Sequence, residues 1–399
     1  MHILMIAPEP FFEPRGTPFS EFHRIRALTT LGHTVDLVTY PFGHDVEMQG
    51  LRIFRSIRPP YMTRIGIGPS WAKVPLNLAL ALTAIRRALT TKYDAVHSHE
   101  EGGGIGVVLA ALLRVPHLYD MHSSLPQQVE NFGYRGMPGL AAILRWLERL
   151  MIRGSRVVIV ICPDLEETVR QVNTDVPTVL IENAPGSGDQ PQEGTGAAVR
   201  AALGVSADAP VALYTGTFEH YQGLDLLYEA MVRVVALRPD ARLVLVGGDE
   251  SQVAAAREQI TRLGLEQQVV LTGQRPAGEI PAYLDAATVL VSPRSTGTNT
   301  PLKIYQYLRS GRAIIATNLR THTQVLSAQT AILAAPTPAA FAAAMLQAFA
   351  DPERTAEIGR AAKSMADTRY SDRAYIDKTR AALDLLFPAA RPEPERGVA

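Results

Sequence analysis

Short apolar runs alternate with stretches of helical spacing along this chain, and the alternation occurs twice. His2 to Ala7, Thr34 to Tyr40, Ala95 to His99, His117 to Tyr119 and Val157 to Ile161 read as strands, with helical stretches such as Glu21 to Leu31 and Ile105 to Leu113 between them. The second alternation comprises Val211 to Thr215, Leu224 to Leu237, Arg242 to Gly247, Val269 to Thr272, Val289 to Ser292 and Ala313 to Thr317. Between the two lies Ala184 to Gly196, a linker by its glycine, proline and polar content. Strand, helix, strand is the order of a parallel α/β sheet, whose ligands sit at the carboxyl ends of the strands. The pattern predicts an N-terminal Rossmann-like domain over 1–183, a linker over 184–200, a C-terminal Rossmann-like domain over 201–370 and a disordered tail over 388–399. Two such halves leave a cleft between them, the usual place for a small ligand.

One segment carries chemistry in its local pattern. In Thr298-Asn-Thr-Pro-Leu-Lys-Ile-Tyr-Gln-Tyr-Leu-Arg-Ser-Gly311, Thr300 reads as an N-cap, Pro301 as the first helical residue and Gly311 as the stop. Lys303 then occupies the third helical position, where a capping box has Glu or Gln and where the helix dipole disfavours a cation by roughly 0.3–1 kcal/mol. An anion at the helix start would reverse that sign, because amides, dipole and ammonium would converge on it. A lysine snorkelling from a packed helix is the competing reading. The segment follows the strand Thr288 to Arg294 and precedes Ala313 to Thr317, so Lys303 is expected on the rim of the second sheet.

Composition narrows the classes. A chain of 399 residues exceeds what one core usually serves. It is 47% hydrophobic and 20% charged, with 39 Lys+Arg against 39 Asp+Glu, which is globular and without a nucleic-acid signature. Cys162 is the single cysteine, so no internal disulfide exists. The apolar start Met1 to Ala7 is cut short by Pro8-Glu-Pro10, too early for a signal peptide, and no run reaches the roughly eighteen apolar residues of a bilayer span. The expected location is cytoplasmic, or peripheral at the inner face of the membrane.

Charge is uneven locally. From Leu51 to Tyr93 the chain carries Arg52, Arg55, Arg58, Arg64, Lys73, Arg86, Arg87 and Lys92 with no acid, interleaved with Tyr61, Met62 and Trp71. Leu78, Leu82, Ile85 and Leu89 recur at helical spacing within it. An anionic membrane surface would suit such a segment, and a core-packed helix beside a solvated loop would produce the same pattern.

Glycine turns and histidines supply the remaining candidates. Arg15-Gly-Thr-Pro18 follows the first strand and could meet an anion through its amides and Arg15. Gly102 to Gly106 opens a helix after Glu100 and Glu101, and close packing explains those glycines better than phosphate binding does. Tyr214-Thr-Gly-Thr-Phe218, with Gln222-Gly223 beyond it, is a candidate phosphate cradle of amides and hydroxyls. No G-x-G-x-x-G follows a strand, which disfavours a dinucleotide oxidoreductase. His97 and His99 share one strand face, but a metal site is disfavoured without further ligands. His122 lies just past a strand end, where it could orient or deprotonate a hydroxyl or simply be a hydrogen-bonded loop residue.

Taken in order, a glycine-containing first loop, Leu31 to Thr39, Asp94-Ala-Val-His-Ser-His99, Tyr119-Asp-Met-His122, Tyr214 to Gly223, Leu243-Val-Leu-Val-Gly-Gly248 and Pro301 to Gly311 resemble a retaining glycosyltransferase of the GT-B fold, of the glycosyltransferase family 4 or glycosyl transferases group 1 type. The resemblance extends from Met1 to about Phe387. It implies two Rossmann-like domains facing each other across a cleft and a helix over 371–387 that crosses back to the N-terminal domain. It also implies a nucleotide diphosphate sugar in the C-terminal half, a hydroxyl acceptor in the N-terminal half, and neither metal nor cofactor.

Residue by residue, the resemblance places His122 beside the transferred sugar and the Gly16 amide against the diphosphate, with Arg15 and His99 on the acceptor side. Gln274 and Arg275 match the loop that meets the nucleobase, and Gly216 matches the turn beneath the phosphates. Four positions depart from the pattern. Thr217 stands for the usual arginine, Gln222 for the usual lysine, and Thr298 and Gln306 for two glutamates. Gln306 can still bond a ribose diol, while Asn299 and Thr300 neighbour the donor sugar. Leaving-group charge must still be stabilised, and Lys303 and Arg294 are the cations placed to do so. The implied function is sugar transfer to a hydroxyl, with a lipid-linked or cell-envelope glycan as the suggested acceptor class. Alternatives are a non-catalytic binding or scaffold subunit of the same fold and a nucleotide-sugar epimerase or hydrolase.

Overall fold

A computed structural model of the chain describes residues 1–12, 16–62, 73–126, 138–182, 194–297 and 299–388. The chain divides into two compact units, one formed by Met1–Glu182 with the segment from Tyr375 onward, the other by Asn183–Ala374. The helix Asp372–Leu386 therefore begins in the second unit and ends in the first.

In the first unit β1 (His2–Ala7), β2 (Thr34–Thr39), β3 (Leu51–Arg55), β4 (Ala95–His99), β5 (His117–Met121), β6 (Val157–Val160) and β7 (Thr178–Leu180) form one sheet in the order β3-β2-β1-β4-β5-β6-β7. Neighbouring strands are parallel throughout. The order reverses between β1 and β4, and loops leaving the carboxyl ends of such a pair diverge to opposite faces and open a crevice. The central strands were legible because both of their faces are covered. The edge strands β3 and β7 are only half-buried, so their patterns are weak.

Three helices cover one face of this sheet. Leu76, Leu80, Ala84 and Ala88 of Lys73–Thr90 pack with Leu109 and Ala110 of Gly103–Leu113 over Leu4, Ile6 and Val96. Met151 and Ile152 of Pro138–Arg153 continue the layer over Tyr119, Met121, Val158 and Val160. The inward face of Lys73–Thr90 is thus not the Leu78, Leu82, Ile85 and Leu89 stripe, which is exposed. The helix is apolar on two sides, and periodicity cannot say which side faces in.

Close packing of the glycines after β4 is observed. A Cβ on Gly103 would lie 2.6 Å from Met151 Sδ, and one on Gly106 would lie 2.5 Å from His117 Nε2. Helix Gly103–Leu113 approaches the sheet and its neighbour more closely than any side chain permits.

The second unit repeats the design with β8 (Val211–Gly216), β9 (Arg242–Gly247), β10 (Val269–Gly273), β11 (Val289–Ser292), β12 (Ala313–Thr317) and β13 (Ile332–Ala334) in the order β10-β9-β8-β11-β12-β13. Its core joins Leu227, Met231 and Val234 of Leu224–Leu237 to Leu243, Leu245, Val291 and Ile315 of the sheet, with Phe341 and Met345 of Pro338–Ala350. The order reverses between β8 and β11, so the second crevice opens at the ends of those strands. Among the described residues no helix is long and apolar enough to cross a membrane.

Candidate functional site

The loops after β8 and β11 meet at the second unit's switch point. A Cβ on Gly223 would lie 2.2 Å from Pro293 O, and Ser295 N donates to Tyr221 O at 3.1 Å. Gly216 ends β8 with φ +133, a conformation other residues avoid, and a Cβ there would stand 3.0 Å from Lys303 Nζ. The ammonium therefore lies directly beside the turn.

Lys303 is 9% exposed. Its Nζ donates to Gln222 Oε1 at 3.2 Å and lies 3.6 Å from the centroid of the Tyr214 ring. Tyr214 is itself fixed by donating its hydroxyl to Thr217 O at 2.7 Å. The expected capping is corrected here. The helix is Lys303–Ser310, Leu302 precedes it, and Thr300 makes no cap. Ile304 N bonds to Pro301 O and Tyr305 N to Leu302 O, three-residue turns too tight for an α-helical first turn. Lys303 is thus the first helical residue instead of the third, and Gly311 closes the helix at φ 73 as expected.

Arg294 completes the positive pair. Its Nε donates to Thr296 O at 3.0 Å, its Nη1 to Asn299 O at 2.9 Å, and its guanidinium lies 5.1 Å from the Tyr221 ring centroid. Among the described residues neither Lys303 nor Arg294 pairs with a carboxylate. Burial, then the charge of Arg294, holds the Lys303 ammonium well below the usual lysine range. His322, bonded to Ser292 Oγ at 2.8 Å, is pushed down to about 4 by burial and further by Arg294 and Lys303, against the Thr317 carbonyl. Among the described residues no carboxylate neutralises the Lys303 and Arg294 pair.

The other expected donor residues are distributed around it. Gln222 and Thr300 are buried, Gln306 is half-buried on the helix, and Thr217 is exposed. The Asn299 carbonyl accepts from Arg294 and from Thr321. Gln274 and Arg275 are exposed immediately after β10, on the sheet edge away from Lys303. Thr298 and Arg15 lie outside the described residues, and Gly16 opens the helix Gly16–Thr30.

At the first unit's switch point the two expected histidines are brought together. His99 Nδ1 is 3.2 Å from His122 Nε2, and the rings of His97, His99 and His122 stack with centroid separations of 4.8 and 5.5 Å. Asp120 organises them, with Oδ1 3.2 Å from His122 Nε2 and Oδ2 3.6 Å from His97 Nε2. Arg24 donates Nε to Asp120 Oδ2 at 2.8 Å and Nη1 to Thr379 Oγ1 at 3.0 Å, while its guanidinium lies 4.9 Å from the Tyr375 ring centroid. Burial alone would raise the Asp120 carboxyl, but Arg24 and then His122 hold it well below the usual range. Burial keeps His97 and His99 neutral by lowering both. His97, His99 and Asp120 are close enough together to ligate a metal ion. The Arg24 guanidinium already donates to one of the carboxylate oxygens such an ion would use.

Sequence reading missed Asp120, Arg24 and Glu21. Asp120 was readable in principle, because it alternates with His122 as His97 does with His99. Arg24 and Glu21 had no local signal. Glu21 is fully buried, neither carboxyl oxygen is hydrogen-bonded among the described residues, and burial followed by Glu9, Asp120, Glu100 and Glu101 raises it well above the usual range. Its stabilising contribution is full below the unfolded value of about 4.5 and is lost as pH rises through the higher folded value. Glu21→Gln should therefore flatten the loss of stability between the unfolded and the higher folded value in urea titrations. An unchanged slope would contradict the assignment.

Two doubly wound parallel-sheet units, each with convergent polar groups at its switch point, constitute the GT-B fold. Sucrose-phosphate synthase from Thermosynechococcus elongatus superposes with a TM-score of 0.79 at 21% identity, over 98% of this chain and 100% of the other. HepE of Anabaena, solved in complex with UDP, superposes at 0.76 with 18% identity, over 96% of this chain and 100% of the other.

Within that class the chain is a relative of glycosyltransferases. Residues 23–184 match the family described as "Glycosyl transferase 4-like domain" and residues 209–351 that described as "Glycosyl transferases group 1". D-inositol 3-phosphate glycosyltransferase 1 of Catenulispora acidiphila is 28% identical over 225 residues, 52% of this chain and 51% of the relative. The putative teichuronic acid biosynthesis glycosyltransferase TuaC of Bacillus subtilis is 23% identical over 317 residues, 75% of this chain and 76% of the relative. The chain thus spans about half the length of the first of these relatives.

Proposed function

We propose that the protein transfers a sugar from a nucleoside diphosphate sugar to a hydroxyl acceptor, with retention of configuration. The observation that carries this reading is that buried Lys303 and half-buried Arg294, by the Gly216 turn, have no carboxylate partner among the described residues. A buried charge without a partner is expensive, and a dianionic diphosphate supplies the missing partner. Relatives named as glycosyltransferases and a structural neighbour solved with UDP-glucose support the same ligand class.

In this reading the bond between the anomeric carbon and the diphosphate breaks, and the negative charge that develops on the leaving oxygen is met by Lys303 and Arg294 instead of a metal ion. Gly216, Thr217 and Gln222 contribute turn amides and neutral donors, and Gly16 adds an amide. Gln306 holds the ribose diol, Thr298, Asn299 and Thr300 neighbour the sugar, and Gln274 and Arg275 meet the base. On the acceptor side, with Arg15 and His99, His122 held by Asp120 orients the attacking hydroxyl. The hydroxyl bonds to the anomeric carbon on the face the diphosphate leaves, while its proton passes to the leaving phosphate oxygen, as retention requires. A lipid-linked or envelope-glycan hydroxyl is the acceptor class we propose, and a relative named for teichuronic acid biosynthesis supports the glycan part of it.

A thermal-shift panel tests the donor. UDP, GDP, ADP and their glucose or mannose conjugates are added to the intact protein. One base should stabilise by about 2.7 kcal/mol at a hundredfold its dissociation constant, with the free nucleosides inactive. Equal shifts by nucleoside and diphosphate would remove the basis for a diphosphate site. Proton NMR of the first product anomer then decides retention.

A further inference from the structure

Among the described residues the outer face of the three-helix layer in the first unit has no partner. On Lys73–Thr90 the exposed stripe runs through Leu78, Leu82, Ile85 and Leu89, the last 81% exposed. On the adjoining Gly103–Leu113 it continues at Val108 and Leu112, the latter 72% exposed. On Pro138–Arg153 it ends at Ile143, Trp146 and Leu150, with Trp146 61% exposed. The helices adjoin directly, as a Cβ on Gly154 would lie 2.6 Å from Val107 Cγ1. Exposed apolar side chains are ordinary singly, but a contiguous field on adjacent helices marks an interaction surface.

Charge selects the occupant. Arg86, Arg145, Arg149 and Arg153 are exposed on these helices, and Arg114 is exposed just beyond the second. Among the described residues none of them pairs with an acid. Glu148 is the only acidic residue in the three helices, and it is buried, accepting from Leu125 N at 2.9 Å. A second copy docking face to face would set arginines against arginines. An acidic lipid surface instead meets cations and apolar side chains together, with Trp146 amphipathic at the boundary.

We propose that this three-helix face rests on an anionic membrane surface. It is not the surface that charge along the sequence suggested. Within 51–93, Arg52 and Arg87 are bound to Asp36, Arg55 to Asp45 and Lys73 to Glu101, while Arg64 and Trp71 lie outside the described residues. The docking face takes from that segment only Arg86 and the leucine stripe, and adds two further helices. The proposal does not depend on sugar transfer.

The test is co-sedimentation of the full chain with vesicles of phosphatidylcholine, with or without phosphatidylglycerol, at low and high salt. Binding to the anionic vesicles should be at least about ten-fold stronger than to the neutral ones and should weaken with salt. Leu82→Glu/Leu112→Glu/Trp146→Glu should remain in the supernatant with an unchanged circular dichroism spectrum. Arg145→Glu/Arg149→Glu leaves the apolar stripe intact and should lose the lipid-charge preference, which keeps the test decisive if the triple variant misfolds. Wild-type protein that stays in the supernatant with anionic vesicles overturns the proposal. So does a dimer in sedimentation equilibrium that the triple variant dissociates and that excludes vesicle binding.

Discussion

Lys303→Met leaves the ligand-free protein at least as stable as the wild type and removes about half or more of its response to the nucleoside diphosphate. Both halves follow from one geometry. Burying an ammonium costs several kcal/mol, and with no carboxylate beside it that cost is offset here only by the Tyr214 ring and Gln222 Oε1. Methionine keeps the length and apolar volume of the stem and relieves the desolvation, so the apo-protein should not lose stability. The ligand loses a charge-assisted contact worth about 1.5–3 kcal/mol, which is roughly ten- to a hundredfold in affinity. A diphosphate at a hundredfold the wild-type dissociation constant, stabilising the parent by about 2.7 kcal/mol, would then stabilise the variant by only about 0.4–1.4 kcal/mol. Differential scanning fluorimetry with and without the diphosphate reads both quantities. A variant several kcal/mol less stable without ligand, or one that keeps the full ligand shift, would show the ammonium to be structural.

What the sequence disclosed follows how local each cause is. Strands buried on both faces print a continuous pattern, so β1, β4, β8 and β11 were readable, and with them the two switch points. Lys303 was conspicuous because a cation at a helix start opposes the dipole, which is a matter of a few neighbouring residues. Its side-chain partners were not readable, since Gln222 stands 81 residues away. Misreading Thr300 as the cap had the same origin: a threonine before a proline fits capping statistics, and only the three-residue turns at Pro301 and Leu302 reveal the later start. The leucine stripe of Lys73–Thr90 was seen correctly as a helix face, yet its outward direction depends on the sheet beneath. His99 and His122 were identified without the group that unites them, because Arg24 and Asp120 lie 96 residues apart and Arg24 and Thr379 lie 355 apart.

That long-range pair sets up the second large effect, Asp120→Asn. Asparagine preserves the shape of the side chain and removes its charge, which leaves the Arg24 guanidinium buried with Thr379 and the Tyr375 ring but no anion. Breaking one partner of a buried pair typically costs 3–5 kcal/mol, roughly, because the remaining charge is uncompensated. Trp71 and Trp146 both belong to the first unit, so tryptophan fluorescence during urea unfolding isolates that unit. The midpoint should fall by an amount equivalent to that cost. Arg24→Met/Asp120→Asn should recover part of the loss, since the double variant no longer buries a lone charge, and the cycle should return a coupling of about 0.5–3 kcal/mol. Asp120 also bears on the reaction through Oδ1, 3.2 Å from His122 Nε2, so the single variant should lose turnover beyond what its folded fraction explains. A single variant within about 1 kcal/mol of wild type would mean that the Arg24 charge is solvated by some other route, and the account of Asp120 as the organiser of the histidine stack would fall with it.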